Sequence, residues 1–135
     1  MGKTAIEVAQ QLFENIEAKR VEGVSALYAD DILVWHNFSN KTQTKTENLQ
    51  TLDGLTRNVA QIRYDVTERV LLGDRVMQRH LLRCRISTGE EFVIPACIFV
   101  TVRDGKITRI DEYLDTAQSN ALGAAIQRAH TAAAR

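Results

Sequence analysis

The hydrophobic period of this chain changes once, and it does not change back. Up to about residue 60, apolar side chains recur at helical intervals. From Ile62 onward they alternate. A chain patterned this way is expected to fold as helices first and an antiparallel meander after, an α+β layout. No repeat, low-complexity tract or linker interrupts its 135 residues, so one domain spanning 1–135 is expected.

The helical part is punctuated. Thr4 and Glu7 have capping-box spacing, and Ile6, Ala9, Leu12, Phe13 and Ile16 form one apolar face. Val24, Leu27 and Tyr28 read as a smaller second helix ending near Asp30. Ile32–Phe38 reads as a strand and Ser39–Lys45 as a loop. A second capping box, Thr44 and Glu47, opens a third helix marked by Leu49, Leu52 and Leu55. The Ala-rich segment Ser119–Arg135 is helical in pattern.

In the meander, Ile62, Tyr64 and Val66 alternate with polar neighbours. After a turn at Gly73–Asp74, a long strand puts Val76, Gln78, His80, Leu82, Cys84 and Ile86 on one face. Arg75, Arg79, Arg83 and Arg85 lie on the other and demand water, so Gln78 and His80 are expected inside. Phe92–Arg103 is apolar on both faces. Asp104–Gly105 is a two-residue hairpin turn. Beyond it, Thr108, Ile110, Glu112 and Leu114 share a face.

Glu112 is the chemically informative residue. A carboxylate between Ile110 and Leu114 is costly to bury as an anion, so it is expected to be used or paired. Pairing Arg103 with Lys106 sets Cys97 opposite Glu112. Pairing Ser87 with Glu90 sets His80 opposite Cys97. His80, Cys97 and Glu112 are therefore expected in one row across three strands. The same register leaves Ile94, Ala96, Ile98 and Val100 as an apolar stripe on the outer face. That stripe predicts a homodimer through the sheet, or cover from the C-terminal segment. On Ile32–Phe38 both faces contain apolar residues. Either Trp35 and Asn37 enter the interior, or His36 does.

Bulk properties remove other classes. Seventeen Lys and Arg balance seventeen Asp and Glu, so no nucleic acid or anionic membrane is expected as partner. The alternating arginines read as a solvated face. No apolar run spans a bilayer and no signal peptide is expected, which points to a cytoplasmic protein. Cys84 and Cys97 lack metal-ligand spacing, as does any set drawn from His36, His80 and Glu112. No metal or cofactor is expected. A lone thiol in an apolar strand is packing before it is a nucleophile.

ValGluGlyValSerAlaLeuTyrAlaAspAsp (Val21–Asp31), the following ValTrpHisAsn, and AspGlyLysIleThrArgIleAspGluTyrLeuAsp (Asp104–Asp115) resemble the nuclear transport factor 2-like superfamily. Within it the chain is most similar to the SnoaL-like group, which includes polyketide cyclases and ketosteroid isomerase relatives. The resemblance implies a cone-shaped curved sheet wrapped around N-terminal helices, a deep apolar pocket, and often a dimer. It gives Glu112 the acid/base position on the last strand. The Arg-x-Asp pair of limonene epoxide hydrolase-like members falls at Gln78 and His80. The ketosteroid isomerase base falls at His36, and the oxyanion-stabilising Tyr of those enzymes near Leu12.

The function expected is a cofactor-free acid/base enzyme, isomerase or polyketide cyclase-like, acting on a small apolar or aromatic oxygenated ligand. Glu112 and His80 are its catalytic candidates. Trp35, His36, Asn37, Gln78 and Cys97 are its ligand-binding candidates. The alternatives are a non-catalytic ligand-binding or dimerisation module, and a hydrolase or dehydratase using activated water.

Overall fold

The computed structural model describes residues 2–134. Three helices come first: α1 (Ala5–Glu17), α2 (Val21–Leu27) and α3 (Lys45–Asn58). Strands β1 (Tyr28–His36) and β2 (Lys41–Gln43) lie between α2 and α3. They are followed by β3 (Gln61–Leu72), β4 (Arg75–Arg85), β5 (Glu91–Arg103), β6 (Lys106–Leu114) and α4 (Thr116–Ala133). The strands form one curved, unclosed sheet in the order β2-β1-β6-β5-β4-β3. The α+β layout is as the periodicity predicts, with one refinement. β1 runs parallel to β6, so the sheet is mixed.

Both capping boxes form. Thr4 accepts from the Glu7 amide, and Thr44 from that of Glu47. Each Glu side chain returns the bond to its cap, satisfying donors that the first helical turn leaves free. The buried face of α1 is Val8, Ala9, Leu12, Phe13 and Ile16. α2 approaches closely enough that a Cβ on Gly23 would fall 2.2 Å from Asn15 Oδ1. The second helix is shorter than its pattern suggests, because Tyr28 already belongs to β1.

Two one-residue differences revise the expected register. Between β4 and β5, Ile86 pairs with Glu90 around a three-residue loop whose Gly89 takes φ +91°. His80 therefore faces Ala96, and Arg79 faces Cys97. Between β5 and β6 the Asp104–Gly105 turn forms as expected, both residues at positive φ. Thr108 then bulges: Val102 pairs with Ile107, but Thr101 with Arg109. Glu112 therefore faces Ile98. The two shifts cancel for β4 and β6, whose even-numbered residues stay inward. They invert β5 between them.

The expected row of His80, Cys97 and Glu112 does not form. Gln78, Ile98 and Glu112 form one row, and His80, Ala96 and Leu114 the next. Ile94, Ile98 and Val100 are core residues, not an outer stripe. The outer face carries Cys97 and Phe99, with Met77 and Tyr113 beside them. α4 does not cover it, because Leu122 and Ala125 join the inner core. No helix among the described residues is long and apolar enough to cross a membrane.

Candidate active site

The helices leave a cavity of about 200 Å³ against the inward face of the sheet. Its walls are largely apolar: Leu12 and Phe13 from α1, Ile98 and Ile110 from the sheet, Leu122 from α4. Other hollows lie on the outside of the molecule. One beside Arg63, Arg83 and Arg85 is lined by charges already paired with Asp65 and Glu91. The chemistry converges in the inner cavity.

Glu112 faces that cavity, with 16% of its side chain exposed. Its partner is His36, whose Nε2 lies 3.1 Å from Glu112 Oε1. The pair follows from the parallel seam. His36 is the direct partner of Glu112 across β1 and β6, so both point to the same face. No arginine reaches Glu112 within ion-pair distance among the described residues. Phe38 stacks on the His36 ring at 4.9 Å and is half exposed, forming a lip.

Ile32, Val34 and His36 therefore form the inward set of β1, and Trp35 points outward. There Trp35 packs edge-on against Tyr113 at 5.0 Å and donates to Asn40 Oδ1. Asn37 fastens β1 to β6. Its amide nitrogen donates to the Leu114 carbonyl and its amide oxygen accepts from the Leu114 N–H, both at 3.1 Å. Cys97 lies on the outer face, where burial raises its thiol pKa above the ordinary value.

His80 is 2% exposed and lies next to the cavity rather than among its lining residues. Its Nδ1 is 2.8 Å from Gln78 Nε2, and Gln78 Oε1 accepts from Arg69 Nε at 2.7 Å. Burial holds the imidazole pKa below its usual value. The negative charge of Glu112 opposes this, and Arg69 adds to it. His80 is thus a neutral ring at neutral pH.

Three lining residues carry chemistry that the sequence pattern did not single out. Tyr28 donates to Asn48 Oδ1 at 2.8 Å, and Asn48 donates to Gln43. Tyr64 stands edge-on between Phe13 and His80, each ring centroid 4.9 Å away. Burial, with the charge of Glu112 added, pushes both phenols well above their ordinary range. They remain protonated donors. Tyr64 was legible as an inward residue by alternation. Tyr28 was hidden by being read as a helix end.

The family model for the SnoaL-like domain matches residues 9–110, and the chain belongs to that family. Among curated proteins none matches significantly. Among solved structures, the chain superposes on IdmH of Streptomyces antibioticus with TM-score 0.78 at 18% identity, over 89% of this chain and 98% of that one. A protein assigned as a SnoaL-like polyketide cyclase from Shewanella denitrificans gives 0.77 at 11% identity, over 90% and 97%. The LEH-like epoxide hydrolase of M. tuberculosis gives 0.73 at 17% identity, over 96% and 94%. These likenesses establish the fold, which hosts more than one chemistry.

Proposed function

We propose that this member of the SnoaL-like family is an acid/base enzyme that moves a proton next to a carbonyl group on a small, largely apolar ligand. The observation that carries the reading is a carboxylate, Glu112, set into an apolar cavity and held by an imidazole rather than by an arginine. Glu112 takes a proton from the carbon beside the carbonyl. The C–H electron pair becomes a C=C bond, and the carbonyl pair moves onto oxygen. Return of the proton at the same or another carbon completes an isomerisation, and attack of the enol carbon on a second carbonyl completes a cyclisation. His36 orients the carboxylate. The chemistry uses side chains alone.

The test is proton exchange. Aromatic ketones incubated with the protein in D₂O should lose α-proton intensity in their NMR spectra. Glu112→Gln should slow that exchange at least about a hundredfold, the usual weight of a positioned general base. Exchange that survives the substitution would sink the assignment of Glu112.

One observation favours a second reading. Glu112 already holds a partner, so the pair could be structural in a module that binds ligand without turning it over. In that case an aromatic ketone binds, exchange is absent, and Glu112→Gln costs several kcal/mol of stability. Hydrolysis through a Glu112-activated water is separated by adding styrene oxide and following diol formation.

We also propose a homodimer through the outer sheet face. Tyr113, 52% exposed, and Leu33, 43% exposed, support it, together with Phe99 on the same face. Light scattering should report twice the chain mass, and Tyr113→Arg with Phe99→Glu should halve it. An unchanged monomer mass in the parent protein would end this reading.

A further inference from the structure

Tyr28, Asn48 and Thr51 line one wall of the inner cavity. They are joined through Gln43, on β2 and outside the lining, into a single file of hydrogen bonds. The file begins in the interior, where Tyr28 and Asn48 are each 3% exposed. It ends on the backbone of α3, at the carbonyl of Glu47. A buried hydroxyl at the head of such a file faces a ligand as donor or as acceptor, depending on which way the file runs.

Its hydrogens can be placed by elimination. The Glu47 carbonyl can only accept, so the single Thr51 hydroxyl hydrogen goes to it, at 3.2 Å. Thr51 Oγ1 must then accept from Gln43, 2.9 Å away, and the end of Gln43 that faces it is the NH₂. Gln43 Oε1 is left to accept from Asn48 Nδ2 at 3.0 Å. Asn48 Oδ1 in turn accepts from the Tyr28 hydroxyl at 2.8 Å. The one Tyr28 hydrogen is therefore spent on Asn48, and among the described residues nothing donates to its hydroxyl oxygen. Burial, with the charge of Glu112 added, keeps the phenol protonated, so the direction of the file is stable. What Tyr28 has left to offer is an acceptor.

We propose that Tyr28 is a specificity-determining residue that accepts a hydrogen bond from a hydroxyl group of the substrate, held in that role by Gln43 and Thr51 as positioning residues. The proposal rests on the reading of the inner cavity as the substrate site, and it adds a substrate class, the hydroxy ketones. One ligand oxygen is the carbonyl whose neighbouring proton Glu112 removes. The other is a hydroxyl that donates to Tyr28. A second carbonyl at this wall would set lone pairs against lone pairs and leave both oxygens without a donor. A carboxylate there would add its charge to that of Glu112. The wall therefore selects a hydroxyl over either.

The probes are meta- and para-hydroxyacetophenone and their methyl counterparts, which have nearly the same outline without the donor. At least one hydroxy ketone should bind more tightly than its methyl counterpart. Tyr28→Phe should weaken that hydroxy ketone about tenfold, the weight of one hydrogen bond, and leave the methyl ketone unchanged. Gln43→Met alters no cavity-lining residue, but it frees Asn48 to turn its NH₂ toward Tyr28. The phenol hydrogen can then face the cavity, so the preference for hydroxyl over methyl should shrink severalfold. Should Tyr28→Phe fail to fold, the Gln43→Met ratio decides. Equal weakening of both ketones by Tyr28→Phe would overturn the proposal. So would a hydroxyl preference that is lost in Glu112→Gln and kept in Tyr28→Phe, because the carboxylate would then be the acceptor. An unchanged ratio in Gln43→Met would remove the positioning role. If α-protons exchange in D₂O but Tyr28→Phe treats both ketones alike, the specificity falls and the proposed function stands. If the hydroxy ketone binds through Tyr28 without exchange, proton transfer falls and the specificity stands. If no probe binds, both fall together.

Discussion

His36 and His80 point inward from the same sheet, yet their surroundings assign them opposite work. His36 lies at the cavity lip, stacked on half-exposed Phe38 and bonded to a carboxylate. His80 lies under Phe13 and Tyr64, bonded to an amide, with no carboxylate in ion-pair reach among the described residues. His36 has a carboxylate for a partner. At His80, burial and then the nearby Arg69 guanidinium disfavour the charged imidazole, against the opposing charge of Glu112. The lip corner pairs an imidazole with a carboxylate, and the inner corner pairs one with a neutral amide.

Measurements that exchange the two corners test this contrast. The largest stability effect is expected at the inner one. Gln78→Ala would leave the Arg69 N–H and His80 Nδ1 unpaired and open a void, costing about 3 kcal/mol in urea unfolding. Glu112→Gln should cost within about 1 kcal/mol in the same measurement. If the order is reversed, Glu112 is the structural residue.

Acid pH provides the next test. His80 has a folded-state pKa below its unfolded value of about 6.5, so the unfolded chain binds the proton more readily. Its contribution is intact above that value and is lost as pH falls below it, by at most about 1.4 kcal/mol per unit. His80→Leu should flatten the acid limb of the stability profile, and an unaltered limb would mean that another group governs it. At the lip, His36→Phe should keep the fold and slow α-proton exchange about tenfold, because orientation is lost while the base remains. Full activity would show that Glu112 needs no partner. The smallest effect is expected from Asn37→Ala. It removes two side-chain bonds to Leu114 and should lower stability by about 1 kcal/mol, read as a fall in melting temperature.

The inner corner was more legible in the sequence than the lip. Alternation through Val76–Ile86, with arginines on the opposite face, placed Gln78 and His80 inside without reference to any other strand. Glu112 was placed by its own strand in the same way. The helix starts were local too, because both capping boxes are written within four residues. What depended on pairing was less readable. The loop at Ser87–Gly89 holds one residue more than expected, and Thr108 adds a bulge. Neither leaves a signature in the alternating pattern, so β5 was read inside out and Cys97 took the place of Ile98. The partner of Glu112 was hidden for a different reason. Both faces of β1 contain apolar residues, and only the parallel pairing with β6 settles that His36 enters and Trp35 leaves.

That parallel seam has a consequence for how the protein is made. β1 is synthesised early and β6 late, and the loop closed between His36 and Glu112 runs through more than half of the chain. Contacts this distant in sequence form slowly. Until β6 leaves the ribosome, β1 has only three-residue β2 beside it, and its other edge is open. An unpaired edge of that kind invites pairing with the wrong chain. The nascent protein should therefore depend most on chaperones in the interval between β1 and β6. His36 and Glu112 meet among the last long-range contacts to form, so under the proposed function activity would report that folding is complete.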